Sequence, residues 1–197
     1  MPDTLIIVDV QNDFCPGGSL AVPHGDQVIA VLNQYLAIAG SVGIPIFASR
    51  DWHPADTRHF AEHGGIWPAH CVQGTHGAEF HKDLRLPAST MVVTKGDNRE
   101  DDGYSAFEGT LSSGESLANA LHAAGVTRVY AGGLATDYCV LQTVLDARKA
   151  GFEAVYLQDG SRPVEVNPGD GARAEEQMLA AGATFQTVDQ FHPTAGE

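Results

Sequence analysis

Positive charge is scarce in this chain: 11 Lys plus Arg stand against 25 Asp plus Glu, for a net charge of -14. Such a surface repels phosphate backbones and anionic headgroups, so neither nucleic acid nor a membrane surface is an expected partner. Long apolar runs are missing too. None approaches the roughly 18 consecutive apolar residues of a membrane span. The opening residues, Met1-Pro2-Asp3-Thr4-Leu5, lack the basic stretch and apolar length of a secretory leader. Cysteine is limited to Cys15, Cys71 and Cys139, an odd number and too few for a disulfide framework, which points to a reducing cytoplasm with thiols available for chemistry. No repeat, low-complexity tract or linker breaks the 197 residues, a length expected to form one domain over residues 1–197.

What is present is an alternation of short apolar runs with helical patterns. Strands are predicted at residues 5–9, 45–49, 90–95, 128–132, 153–158 and 184–188, and helices near 27–42, 114–124, 136–150 and 169–181. Val28, Val31, Leu32, Tyr35, Leu36 and Ala39 mark the first helix by their spacing. Gly43, Gly125, Gly151 and Gly182 follow the helical stretches, as helix C-termini often require. Alternating strands and helices predict an α/β fold of three layers, with a central, mostly parallel six-stranded sheet covered on both faces. Residues 50–89 carry no clear periodicity, and their Trp, Pro and His content predicts a functional loop.

Ligands of open α/β sheets bind outside the carboxyl ends of the strands. Those ends hold Asp9, Arg50, Asp51, Lys95, the stretch from Gly133 to Cys139, and Asp159. Asp9 and Lys95 each follow an apolar strand directly, where an acid and a base at neighbouring ends can satisfy one another, or each can simply face solvent. Cys139 follows a strand and a glycine turn. With Thr136 as N-cap it falls in the first turn of a helix, where the dipole, free N–H groups and a nearby Lys favour the thiolate and can stabilise an oxyanion. A free Cys in a core more commonly packs as a small hydrophobe.

Six of nine histidines lie between residues 53 and 81. Asp51-Trp52-His53 sets a carboxylate and an imidazole on one side of an extended segment, and His70 can return from the far side of the loop. This donor set suits Zn²⁺, Fe²⁺ or Mn²⁺, and the lack of Cys pairs argues against a structural zinc site. Two other matches carry less. His59-Phe60-Ala61-Glu62-His63 fits H-x-x-E-H but lacks a helical setting, and Gly169-Asp170-Gly171-Ala172-Arg173-Ala174 follows Asn167-Pro168 instead of a strand.

Taken in order, Asp9-Val10-Gln11-Asn12-Asp13-Phe14, Asp51-Trp52-His53-Pro54, Trp67-Pro68-Ala69-His70-Cys71-Val72, Thr94-Lys95-Gly96, Tyr104-Ser105-Ala106-Phe107-Glu108-Gly109 and Gly133-Leu134-Ala135-Thr136-Asp137-Tyr138-Cys139-Val140 span most of the chain. The ordered set resembles the nicotinamidase/pyrazinamidase branch of the isochorismatase-like cysteine hydrolases. The resemblance implies a triad of Asp9, Lys95 and Cys139 that hydrolyses nicotinamide, and pyrazinamide as well, through a thioester in NAD salvage. It implies a cis peptide at Leu134-Ala135, an oxyanion site from the N–H groups of Ala135 and Cys139, and pocket positions at Phe14, Trp67, Tyr104 and Ala135. One divalent metal (Zn, Fe or Mn) would be held by Asp51, His53 and His70, with His59 or water as fourth ligand, and would bind the pyridine nitrogen to orient the amide. Many members have His and Ser where Thr57 and His59 stand here. The partner is a small-molecule amide, and homo-oligomerisation is left open. The alternatives are a cysteine amidohydrolase of another small amide and, in a different class, a hydrolase whose nucleophile is a metal-bound hydroxide.

Overall fold

Successive side chains of a strand point to opposite faces, and the run from Leu5 to Val8 feeds two cores: Leu5 and Ile7 pack into one, Ile6 and Val8 into the other. The computed structural model describes residues 2–196, so Met1 and Glu197 of the expected domain lie outside the described residues. Strands β1 (Asp3–Val8), β2 (Ile46–Asp51), β3 (Met91–Lys95), β4 (Thr110–Leu111), β5 (Arg128–Gly133), β6 (Glu153–Leu157) and β7 (Thr184–Gln186) form one sheet. Its order is β4-β3-β2-β1-β5-β6-β7. The first core is covered by α1 (Gln27–Val42), the second by α2 (Leu117–Ala123), α3 (Leu141–Lys149) and α4 (Asp170–Ala180). The three-layer expectation holds, with seven strands in place of six. The extra one, β4, is a two-residue strand antiparallel to β3, too short to leave a pattern in the sequence. No described helix is long and apolar enough to cross a membrane.

The chain leaves β1 for β2 and β3 on one side and later for β5, β6 and β7 on the other. The order therefore reverses between β1 and β5, whose carboxyl ends open the crevice where such sheets bind ligands. Gly133 closes the top of β5 at φ 139°, and a Cβ there would sit 2.1 Å from the Val8 carbonyl oxygen of β1. Gly133→Ala is expected to destabilise the fold by about 3 kcal/mol or more, combining a disfavoured φ with a backbone clash. Urea unfolding measures it, and a change under 1 kcal/mol would show that β1 and β5 tolerate separation here.

The segment after β2 doubles back on itself. Main-chain bridges pair His53 with Val72 and Phe60 with Trp67, bringing the ends of this His-rich stretch together without a regular strand. Its only helical pieces are single 3-10 turns at Ala61–His63 and His76–Ala78, so the H-x-x-E-H match has no helix to sit on. The helix expected from residue 136 opens as a π-helical turn, Thr136–Val140, before α3. Thr136 does not cap it: Ala135 occupies that position, and the Thr136 hydroxyl pairs with the Tyr156 hydroxyl at 3.0 Å.

Candidate active site

Asp9 stands one residue beyond β1, at φ 49°, and is fully buried. Its Oδ1 accepts a hydrogen bond from the Ser49 hydroxyl (2.7 Å). Its Oδ2 pairs with the Lys95 ammonium at 2.7 Å. Lys95 ends β3 directly opposite Asp51 in the β2–β3 register. Its Nζ also donates to Asp51 Oδ1 and to the Gly103 carbonyl (2.7 Å), and it lies 3.6 Å from Cys139 Sγ. The ammonium thus fills the space between Asp9, Asp51 and Cys139, leaving no room there for a second cation.

Burial is the largest influence on each of these groups. It raises Asp9 above the usual carboxylate range, with Lys95 pulling the other way. It would raise Asp51 as well, but the Lys95 ammonium, with the His53 and His70 rings nearby, outweighs it and holds Asp51 well below. It would lower Lys95, yet Asp51, Asp9 and Cys139 together push the ammonium well above its ordinary value. Cys139 differs from the sequence expectation of a helix-stabilised thiolate: burial pushes the thiol well above 9.0 despite Lys95. A charged sulfur is costly in this enclosed position, which favours the thiol over the thiolate.

Asp51 turns its other oxygen toward the histidines: Oδ2 is 3.6 Å from His53 Nε2 and 3.8 Å from His70 Nε2. His53, His59 and His70 each place a ring nitrogen within 4.8 Å of the other two. The opposite nitrogens are spoken for. His53 Nδ1 faces the Gly96 carbonyl (3.0 Å), His70 Nδ1 the Pro68 carbonyl (2.8 Å) and His59 Nδ1 the Asp102 carboxylate (2.9 Å). A partner that only accepts fixes the proton on Nδ1 and turns the Nε2 lone pair of a neutral ring inward. Gly96 permits the first contact, since a Cβ there would lie 2.5 Å from the His53 ring. Burial lowers the His59 pKa, against an opposing pull from Asp102. His53 Nε2 is buried without a hydrogen-bond partner among the described residues. Ligands about 2.1 Å from an ion stand roughly 3–4 Å apart, so this donor set, with its orphaned nitrogen, fits a divalent metal.

Above these groups lies a cavity lined by Asp51, His59, His70, Ala135 and Cys139 and walled by Phe14, Trp67, Tyr104 and Tyr138. Trp67 Nε1 donates to the Tyr104 hydroxyl (2.8 Å), and Tyr138 meets Trp67 edge-on at 4.9 Å. The Leu134-Ala135 peptide is cis, and the Ala135 N–H meets no acceptor among the described residues.

The model of the isochorismatase domain family matches residues 3–190. The chain belongs to the isochorismatase family. Among members of this family, the nicotinamidase of Escherichia coli is 40% identical over 99% of both chains. The nicotinamidase/pyrazinamidase of Mycobacterium tuberculosis is 43% identical over 79% of this chain and 83% of its own. The pyrazinamidase of Pyrococcus horikoshii, solved in complex with zinc, superposes with a TM-score of 0.87 at 42% identity, covering 95% of this chain and 99% of that one.

Several residues marked from sequence lie elsewhere in this isochorismatase fold. Arg50 stacks on Trp52 (4.1 Å) and donates to Thr94. Asp159 accepts hydrogen bonds from the Tyr35 hydroxyl and the Val188 N–H. His63 and His76 are exposed. Glu165 accepts from the Gly169 and Gly171 N–H groups, so a carboxylate of this chain fills the Gly169-Asp170-Gly171 turn. Asp102, with Leu20, Val22 and Val164, lines the cavity without having been marked, and Tyr138, noted only as part of the stretch from Gly133 to Cys139, lines it too. Tyr138 was findable as the neighbour of Cys139. Asp102 was not, standing among the charged residues Asp97, Arg99, Glu100 and Asp101 with no local sign to separate it.

Proposed function

We propose that this single-domain protein hydrolyses nicotinamide to nicotinate and ammonia, and accepts pyrazinamide, in NAD salvage. The reading rests on one observation above all: Cys139 Sγ lies 3.6 Å from Lys95 Nζ, itself 2.7 Å from Asp9, beneath an aromatic cavity flanked by converging histidines. Asp9, held beside Cys139 by Lys95, takes the thiol proton as Cys139 Sγ adds to the carboxamide carbon. The resulting oxyanion is met by the N–H groups of Ala135 and Cys139. Asp9 returns the proton to the departing amide nitrogen, ammonia leaves and a thioester remains. Water, deprotonated by Asp9, then adds to the thioester carbon. Collapse releases the acid, and Cys139 recovers its proton. Lys95 keeps Asp9 charged between these transfers.

Asp51, His53, His59 and His70 would hold one divalent ion, which supplies a Lewis-acidic anchor for the pyridine nitrogen and so orients the amide. Zinc is favoured over iron or manganese by the solved relative. The charged residues lining the cavity, Asp51 and Asp102, are acidic, and no Lys or Arg lines it. A substrate carboxylate would meet like charge there, which favours a neutral amide over anionic ones.

Ammonia release from nicotinamide and pyrazinamide, measured before and after chelation, tests the reading. Chelated protein is expected to lose about 100-fold in rate, the cost of a misoriented reacting group, and to recover with Zn²⁺, Mn²⁺ or Fe²⁺. Indifference to chelation would remove the metal from the mechanism. No ammonia from either amide would remove the substrate assignment.

A further inference from the structure

The three histidines at the candidate metal centre are not held alike. His53 and His70 lean on main-chain carbonyls of Gly96 and Pro68, which no substitution removes. His59 leans on a side chain, Asp102, whose Oδ1 lies 2.9 Å from Nδ1. The imidazole is almost entirely enclosed (4% exposed), whereas the carboxylate is 68% exposed. The contact is therefore made at the cavity wall, of which Asp102 is part.

We infer that Asp102 is a positioning residue for the metal centre: it fixes the Nδ1–H tautomer and ring orientation of His59, so that Nε2 faces the ion. This rests on the metal reading given above. A surface ion pair between two freely moving side chains contributes little, but here the backbone sets the geometry. The segment from Asp97 to Gly103 is pinned to that carrying His59 by the Arg58 N–H bond to the Arg99 carbonyl (2.9 Å) and by the Thr57 hydroxyl on the same oxygen (3.2 Å). The residue after Asp102, Gly103, offers its carbonyl to Lys95 Nζ. One short loop thus holds a metal ligand through a carboxylate and the buried ammonium through a main-chain oxygen. Removing an outer partner of a metal-bound His typically costs 10–100-fold in affinity.

The test is Zn²⁺ affinity of the chelator-treated protein, by competition with a chromogenic chelator, for wild type, Asp102→Ala, Asp102→Asn and His59→Ala. Co²⁺ spectra of each report the coordination environment. Asp102→Ala is expected to weaken Zn²⁺ by about 10–100-fold and to shift the Co²⁺ spectrum toward that of His59→Ala. Asp102→Asn, whose amide oxygen still accepts the Nδ1–H bond, is expected to recover much of the loss. Glu100→Ala, on the same loop and paired only with exposed Arg58, is expected to match wild type, which separates positioning from general loosening of the loop. Wild-type affinity and spectrum in Asp102→Ala would overturn the inference while leaving the metal reading intact. Failure of the wild type to bind Zn²⁺ stoichiometrically would overturn both.

Discussion

Cys139→Ala is expected to lower kcat for nicotinamide by at least about 10⁴-fold, the scale on which losing a nucleophile acts in covalent catalysis. Fold and metal content are expected to persist. The sulfur is one buried atom beside Lys95, and its removal leaves a cavity costing about 1 kcal/mol. Ammonia release, zinc content and thermal unfolding of the variant check all three. The result separates two chemistries that share this site. With a metal-bound hydroxide as nucleophile, Cys139→Ala would keep most of its activity and His53→Ala would not. Burial raises the Cys139 thiol, so proton transfer to Asp9 as attack begins is part of generating the nucleophile.

Lys95→Met is expected to fail in two ways at once. Among the described residues, Lys95 is the single cation contacting both Asp9 and Asp51. Its loss leaves two buried carboxylates with no ammonium between them, a change expected to cost about 3–5 kcal/mol. Activity is expected to fall by about 10²–10⁴-fold. Asp9, already raised by burial while Lys95 pulls it down, would rise further, and a protonated Asp9 can no longer accept the thiol proton. The sign of the pH effect follows. A carboxyl whose folded pKa lies above its unfolded value favours the fold in its protonated form, and that contribution is lost as pH rises. The stability deficit of Lys95→Met is therefore expected to narrow as pH falls toward 4, in urea unfolding followed from pH 8 downward. A deficit independent of pH, or activity within tenfold of wild type, would remove Lys95 from its role between the two acids.

The strands were legible in sequence because their signal is local. A run such as Leu5 to Val8, apolar at every position, needs both faces covered, and the two cores on either side of β1 supply that cover. β4 escaped because it consists of two residues paired to an edge, a pairing set by β3 and not by its own composition. Residue 136 was misjudged for a related reason. A Thr before a helix reads as a cap, but its hydroxyl had a better partner in Tyr156, from a strand distant in sequence. The histidines divide the same way. Asp51-x-His53 is a local spacing and could be seen, whereas the separation of His59 and His70 from exposed His63 and His76 depends on how residues 53–72 double back.

By itself the sequence determined the layered α/β class and the kinds of residue gathered at the strand ends, since periodicity and strand exits are properties of neighbours along the chain. Only the tertiary structure decided which histidines converge, that Lys95 bridges Asp9 and Asp51, that burial raises the Cys139 thiol, and that Asp102 stands behind His59. Those are matters of burial and of contacts across about 40 or more residues of chain. Desolvation and Coulomb terms take their size from three-dimensional surroundings that no local pattern encodes.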